Sequence, residues 1–406
     1  MNLGPWARSK LIVSGAVLHL KQESHMTRGV SDQNHWDRGG SSPASSMTST
    51  VNGVTVSALA EVDPAPPRHA RTGAVAPDDA DSLDAMGVTS PQVSVLMTAY
   101  NSAKYLRRAL DSLFSQSFQD FEVVVVDDGS TDATGQILAD YAERYDAMTV
   151  LTNGQCQGIS RAANRGLAAC RAAVIARMDA DDVAYPDRLE KQLAFFRDSG
   201  AVAVGCYVEF IDHRGRALTV MPSPLDDTTI QKLLLQGDCT LWHTGSMMSA
   251  AALRRVGGYN EAYGSAVDIE LWLRLGEVGS LANQPETLQQ YRYYGDSVSA
   301  RRREQQMQLC EQATREAARR RGIEPCFIKK EHWRSGATKA SKLRFIHRLG
   351  WWAHRSGHLR TTAVYGLKAL RLRPWSWQGW MLLKAAAVAG LTGRRAVAPA
   401  AYSSSS

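Results

Sequence analysis

The run Phe121-Glu122-Val123-Val124-Val125-Val126 is almost unbroken in apolar character and stops abruptly at Asp127-Asp128-Gly129-Ser130. So short a run, bounded by turn residues, reads as a strand. Being apolar at odd and even positions alike, it must be covered on both faces, as strands are in a parallel sheet between helices. The flanking sequence agrees. Val93-Ser94-Val95-Leu96-Met97 predicts a strand before it. Leu106, Ala109, Leu110, Leu113 and Phe114 then recur at helical spacing, behind Asn101 or Ser102 as N-cap. Ile137, Leu138, Tyr141 and Tyr145 mark a second helix, capped near residues 130–132. A third strand is expected over Met148 to Leu151, a third helix after Gly158 and a fourth strand over Ala173 to Met178. Strand and helix alternating over short links imply a right-handed α/β unit, a mostly parallel sheet and a ligand at the carboxyl ends of the strands.

This pattern occupies the middle of 406 residues. Residues 1–90 are rich in Ser, Thr, Pro, Gly, His and Asp and hold no hydrophobic period, so a disordered segment is expected there. Asp63-Pro64-Ala65-Pro66-Pro67 reads as an extended linker. Deleting residues 1–85 is expected to leave activity unchanged. A soluble but inactive truncated protein would contradict that. Met1 to Leu20 lacks a small-residue cleavage site, which argues against a signal peptide. No apolar run reaches the roughly 18–20 residues of a membrane span. The six cysteines form no C-x-x-C pair, which disfavours structural zinc and points to a reducing, cytoplasmic compartment.

Two acidic clusters sit at predicted strand ends: Asp127-Asp128-Gly129-Ser130, and Asp179-Ala180-Asp181-Asp182 after Val174-Ile175-Ala176-Arg177-Met178. One such end can be only a helix cap. Two on neighbouring strands crowd carboxylates that repel one another unless a cation or donor groups neutralise them. Hard oxygen donors suit Mg²⁺ or Mn²⁺, with diphosphate oxygens completing the shell. Neither a G-x-G-x-x-G nor a G-x-x-x-x-G-K-[ST] motif is present, which argues against dinucleotide-binding and P-loop enzymes.

Taken in order, these segments resemble the family-2 glycosyltransferases, inverting enzymes of the GT-A fold, of the type used in bacterial cell-surface glycan biosynthesis. The matching segments are Val93 to Asn101, Val126 to Asp132, Ala176 to Asp182, Pro186 to Gln192, Gly257-Gly258-Tyr259 and Asp268 to Leu275. The resemblance spans roughly 91–300. It implies a mostly parallel central sheet flanked by helices; the helical extension expected over 301–406 is read from the residues themselves. It places Thr98, Tyr100 and Asp128, with Asp127 beside them, at the nucleobase. Asp179 falls at the start of a D-x-D motif near the ribose, Asp181 on the divalent cation and Asp268 at the general base. An inverting transfer needs that one base and a Lewis acid for the leaving diphosphate. Two positions depart from the pattern. Val267 replaces the usual Glu before Asp268, leaving Glu270 as a fallback base. Tyr294 stands where a His is common, and a phenol only donates a hydrogen bond there. His243 contacts acceptor or diphosphate, or is a satisfied structural histidine. Arg161 and Asn164 reach the donor, or serve surface and capping roles. Gln289-x-x-Arg292-Tyr293 is a near miss to the Q-x-x-R-W of processive synthases, whose several membrane helices are not expected here.

The implied activity is non-processive transfer of one sugar from a nucleotide-diphosphate donor to a glycan or lipid-linked acceptor. The alternative is a catalytically silent nucleotide-sugar-binding or scaffold protein. The net charge of +7 is unevenly spread: Lys and Arg outnumber Asp and Glu 22 to 5 over residues 301–406. That region holds Trp333, Trp351, Trp352, Trp375, Trp377 and Trp380, and reads as two or three helices with breaks at Gly357 and Pro374 beyond a charged helix over 301–321. Either it holds the enzyme peripherally on anionic lipid at the cytoplasmic face of the membrane, or its tryptophans form a small helical core. Without a recognition motif, nucleic acid is not an expected partner.

Overall fold

The computed structural model describes residues 48–51, 54–57, 90–294, 303–329 and 338–392. Within the segment expected to be disordered, β1 (Thr48–Val51) and β2 (Val54–Ser57) pair antiparallel; the rest of that expectation lies outside the described residues. Asn52-Gly53 stands between them in the sequence, the dipeptide that two-residue hairpins favour.

From residue 90 the chain alternates as expected: β3 (Val93–Ala99), α1 (Ala103–Phe114), β4 (Phe121–Asp127), α2 (Thr134–Arg144), β5 (Met148–Thr152), α3 (Ile159–Ala169) and β6 (Val174–Asp179). β5, β4, β3 and β6 lie side by side, all parallel. Next come β7 (Val183–Ala184), α4 (Arg188–Ser199), β8 (Ala203–Ile211), β9 (Ala217–Met221) and α5 (Asp227–Leu235). β10 (Met247–Ser249), α6 (Ala250–Arg255), α7 (Val267–Val278) and β11 (Leu281–Arg292) follow. The three-residue β10 runs antiparallel to both β6 and β8, and β11 runs parallel to β8. The sheet is therefore parallel in its first half and mixed beyond β6.

The β4 run behaves as its composition requires. Leu96 and Val124 point into one core with Leu167, Ile175 and Trp272, whereas Val95, Met97, Val123 and Val125 point into the other with Leu106 and Leu110. Glu122, the charge in the run, is buried but satisfied: it accepts from Ser94 Oγ (2.6 Å), Arg171 N–H (2.7 Å) and Arg171 Nε (2.7 Å). Ser102 occupies the N-cap position of α1, yet its side chain caps nothing. The neighbouring loop supplies the caps instead, with Asp132 accepting from Ala103 N–H and Thr134 Oγ1 from Ser102 N–H.

C-terminal to the sheet lie α8 (Arg303–Arg321), α9 (Lys339–Arg355), α10 (Leu359–Leu372) and α11 (Trp377–Thr392), with breaks at Gly357 and Pro374 as expected. α9 and α10 close the β8–β9–β11 end, where Leu349, Trp352, Ala353 and Tyr365 share a core with Val208, Phe210, Leu218 and Tyr293. Trp352 is thus a packing residue, whereas Trp375, Trp377 and Trp380 are exposed; Trp333 lies outside the described residues.

Asp212, just after β8, ties this unit down. Its carboxylate accepts from Arg216 Nε and Nη2 (2.8 and 2.6 Å), from the N–H groups of Arg214 and Arg216, and from Tyr365 Oη on α10 (3.1 Å). Burial pushes the Asp212 carboxyl up, but the Arg216 side chain and these N–H groups outweigh it and hold it below its ordinary value. Its stabilisation is therefore complete above the unfolded-state pKa of about 3.9 and is lost as pH falls through the lower folded value. Asp212→Asn is expected to cost about 3 kcal/mol at neutral pH, because Arg216 loses its partner. Urea unfolding from pH 7 to 3 should show a flatter acid limb in the variant. Parallel curves would contradict the assignment.

Candidate functional site

The site forms where β3, β4 and β6 end. Strand register sets Ala99 beside Asp127 and Thr98 beside Asp179, so the two acidic clusters come together. Gly129 turns the chain after β4 at φ +75°, and its missing side chain leaves room for the Gln155 backbone. Any side chain there would be strained and would collide with that backbone.

The two β4 aspartates differ. Buried Asp127 accepts from Ser130 N–H at 3.0 Å. Asp128 organises the loop before α3. It accepts from Asn153 Nδ2 (2.7 Å), Gln157 N–H (2.9 Å), Gly158 N–H (2.8 Å) and Cys156 Sγ (3.3 Å). Burial raises the Asp128 carboxyl, but these donors outweigh burial and hold it below its ordinary value. Tyr100 stands exposed just beyond β3.

A buried arginine that was not among the candidate site residues sits between the clusters. Arg177 Nη2 contacts both Thr98 Oγ1 (2.9 Å) and Asp179 Oδ1 (2.9 Å), and Nη1 reaches the carbonyls of Leu96 and Met178. A charged residue inside the apolar run Val174 to Met178 is the signal that could have found it. Arg188 is buried as well, bonding Gln289 Oε1 (2.9 Å), the Arg177 carbonyl (2.9 Å) and Gln192 Oε1 (3.3 Å). The motif around Pro186 to Gln192 thus holds the site from beneath.

Asp181 and Asp182 are fixed from β11. Arg292 donates its N–H to Asp182 Oδ1 (2.7 Å) and its Nε to the Asp181 carbonyl (2.6 Å), with its guanidinium 4.3 Å from the centre of the Tyr105 ring. Tyr294 donates its phenol to Asp181 Oδ2 at 2.9 Å. Burial, then the nearby charge of Asp179, pushes the Asp181 carboxyl up to about 6; burial and both neighbouring aspartates raise Asp182 well above its ordinary value.

Asp268 opens α7. It accepts from Ile269 N–H (2.9 Å) and Cys239 Sγ (3.4 Å), and burial raises its carboxyl above the ordinary value, with Asp179 close enough to add to the rise. Glu270 is buried in a fork with Arg274 (2.7 and 2.6 Å) and reached by Asn260 Nδ2, a supporting arrangement. His243 Nε2 lies 3.2 Å from Tyr259 Oη, and the ring stands edge-on to Trp272. Burial, then the Arg177 charge, pushes its imidazole down to about 3, so it is neutral at pH 7. Arg161 faces solvent and pairs with Glu261 at 2.6 Å. Asn164 bonds the Tyr259 backbone at both N–H and carbonyl, anchoring the Gly257-Gly258-Tyr259 turn.

The sequence of this region matches the family described as "Glycosyl transferase family 2" over residues 94–257. The putative glycosyltransferase EpsE of Bacillus subtilis is 34% identical over 224 residues, which are 53% of this chain and 77% of EpsE. The chain belongs to glycosyltransferase family 2. The O-antigen biosynthesis glycosyltransferase WbnJ of Escherichia coli is 30% identical over 210 residues, 51% of this chain and 81% of WbnJ. Among solved structures, S. aureus TarS 1–349 in complex with UDP-GlcNAc aligns at 18% identity and a TM-score of 0.47, over 75% of this chain and 92% of that one. The transferase therefore has a family-level identity resting on sequence, and both acidic strand ends lie inside the matched segment.

Crowded carboxylates with raised pKa values are what a divalent cation relieves, and hard oxygen donors suit it. Among the described residues no group of three or more His, Cys, Asp or Glu side chains could hold an ion alone. The donor set of the transferase fits a cation shared with a ligand: Asp181 from the protein, the remaining oxygens from a diphosphate.

Proposed function

We propose that this transferase is a non-processive, inverting enzyme that moves one sugar from a nucleotide-diphosphate donor to a glycan or lipid-linked acceptor. Residues 91–300 form its catalytic part, and residues 301–406 a basic helical part in peripheral contact with anionic membrane at the cytoplasmic face. The observation that carries this reading is the meeting of Thr98, Asp127 and Asp179 at adjacent strand ends, with Asp181 beside them and Asp268 within electrostatic reach. The E. coli relative's name, O-antigen biosynthesis, supports a cell-surface glycan as acceptor.

Each residue has a task. Thr98, Tyr100, Asp127 and Asp128 border the nucleobase, Asp128 mainly by fixing the 153–158 loop. Asp179, oriented by Arg177, meets the ribose. Asp181 would hold a Mn²⁺ or Mg²⁺ ion, which supplies Lewis-acid stabilisation of the leaving diphosphate. Asp268 takes the acceptor hydroxyl proton, and its raised basicity suits that role. One displacement at the anomeric carbon inverts its configuration and needs no enzyme nucleophile. His243, neutral, offers a hydrogen bond to diphosphate or acceptor. Arg161 supports the Glu261 turn at the rim. Tyr293, after Arg292, is consumed in packing with Phe210 and Trp352, which supports single additions over threading of a polymer. Mass spectrometry of acceptor products tests this reading: an increment of one sugar is expected, and a ladder of increments would contradict it.

A further inference from the structure

α11 is apolar on two sides. Its inner side is used: Gly379 and Leu382 are buried, and Leu382 and Leu383 close on Gly350 of α9 and Gly366 of α10, where a side chain would not fit. Its outer side is open. Trp377 (65% exposed), Trp380 (60%), Met381, Val388 and Leu391 (88%) fall on one face at helical periodicity. Trp375, just before the helix, is 87% exposed. Lys384, also exposed, is the helix's charged residue. Scattered apolar residues on a surface are ordinary, but a row with two tryptophans and a third just before it is the kind of patch that marks a contact site.

The surrounding charge says what kind of contact. No Asp or Glu follows Glu331 in the sequence, whereas thirteen Lys and Arg do. Arg371 and Arg373 are exposed immediately before Trp375. Indole rings favour the headgroup level of a bilayer, and Lys and Arg favour anionic lipid phosphates. At sixteen residues α11 is shorter than the roughly 20 needed to span, so it would lie along the surface.

We propose that Trp375 and the outer face of α11 are the membrane-contact surface, seated in the headgroup layer of an anionic bilayer. This deepens the peripheral-contact reading above and rests on it. α9 and α10 carry the contact with the sheet and α11 carries the open face, so the helical unit joins catalytic sheet to lipid. A second copy of the chain would cover the apolar row but would leave the one-sided charge unused. An anionic surface uses both.

The test is co-sedimentation of the full chain with phosphatidylcholine vesicles, with and without phosphatidylglycerol. Binding to the anionic vesicles is expected, weakening with salt and accompanied by a blue shift of tryptophan emission. The triple variant Trp375→Ser, Trp377→Ser, Trp380→Ser should lose about tenfold or more of the binding. Arg371→Glu, Arg373→Glu, Lys384→Glu, which keeps every tryptophan, should lose it at low salt. Both variants should keep wild-type donor turnover in solution, which also reports that they fold. The proposal is overturned if the wild type stays in the supernatant at low salt, or if both variants bind as it does. A tryptophan-dependent dimer that ignores vesicles overturns it as well. Donor turnover is read separately, so failure of the lipid surface and failure of the glycosyltransfer reading are distinguishable.

Discussion

Asp268→Asn is expected to lower kcat by about 10²–10⁴-fold while donor affinity and thermal midpoint stay near wild type. The amide keeps the acceptor for Ile269 N–H and loses only basicity. Among the described residues, Asp268 accepts from Ile269 N–H and Cys239 Sγ and pairs with no arginine. Glu270, two residues on, is locked in its fork with Arg274, so Glu270→Gln should reduce stability more than turnover. Steady-state kinetics with saturating donor separate the two. A large kcat loss in Glu270→Gln, with Asp268→Asn near normal, would move the base by two residues.

Asp181→Ala is expected to abolish metal-dependent turnover. Losing the protein's ligand to the cation removes several kcal/mol of leaving-group stabilisation, about a thousandfold in rate or more. The main-chain contact from Arg292 Nε to the Asp181 carbonyl remains, so the local fold should persist. Turnover should also vanish from the wild type in EDTA and return with Mn²⁺ or Mg²⁺. An Asp181→Ala variant that turned over normally in EDTA would mean the leaving diphosphate is stabilised by protein groups alone, with Arg177 and Arg292 the cations at hand.

What the sequence revealed, and what it hid, follows from the range of the interactions. β3 to β6 and their helices were legible because each carries its own period, and the placing of Asp127 and Asp179 at strand ends, with Asp181 just beyond, was legible because each cluster directly follows an apolar run. β7 and β10, two and three residues long, are too short to show any period. Their antiparallel pairing turns the second half of the sheet into a mixed one. The N-cap of α1, read as Asn101 or Ser102, is Ser102 by position, but the side chains that cap the helix are Asp132 and Thr134, about thirty residues away. Arg177 was visible as a charge in an apolar strand, yet its bond to Thr98 exists only because β3 and β6 are neighbours. Tyr294 was noticed as a departure from a common His; that its phenol meets Asp181 needed the end of β11 brought back across more than a hundred residues. In the C-terminal region the helices were legible, but the division of tryptophans was not. Trp352 is held against Phe210 on β8 and Tyr293 just beyond β11, while Trp375, Trp377 and Trp380 stay exposed.

Release of nucleoside diphosphate from a panel of nucleotide sugars, with Mn²⁺ present and acceptor absent or supplied as a glycan mixture, tests the central claim most directly. Turnover of at least one donor is expected, lost in Asp181→Ala and restored to the wild type when EDTA is titrated out with metal. A protein that bound a nucleotide sugar tightly yet released no diphosphate under any of these conditions would contradict the account, and would make the chain a binding protein on a transferase fold.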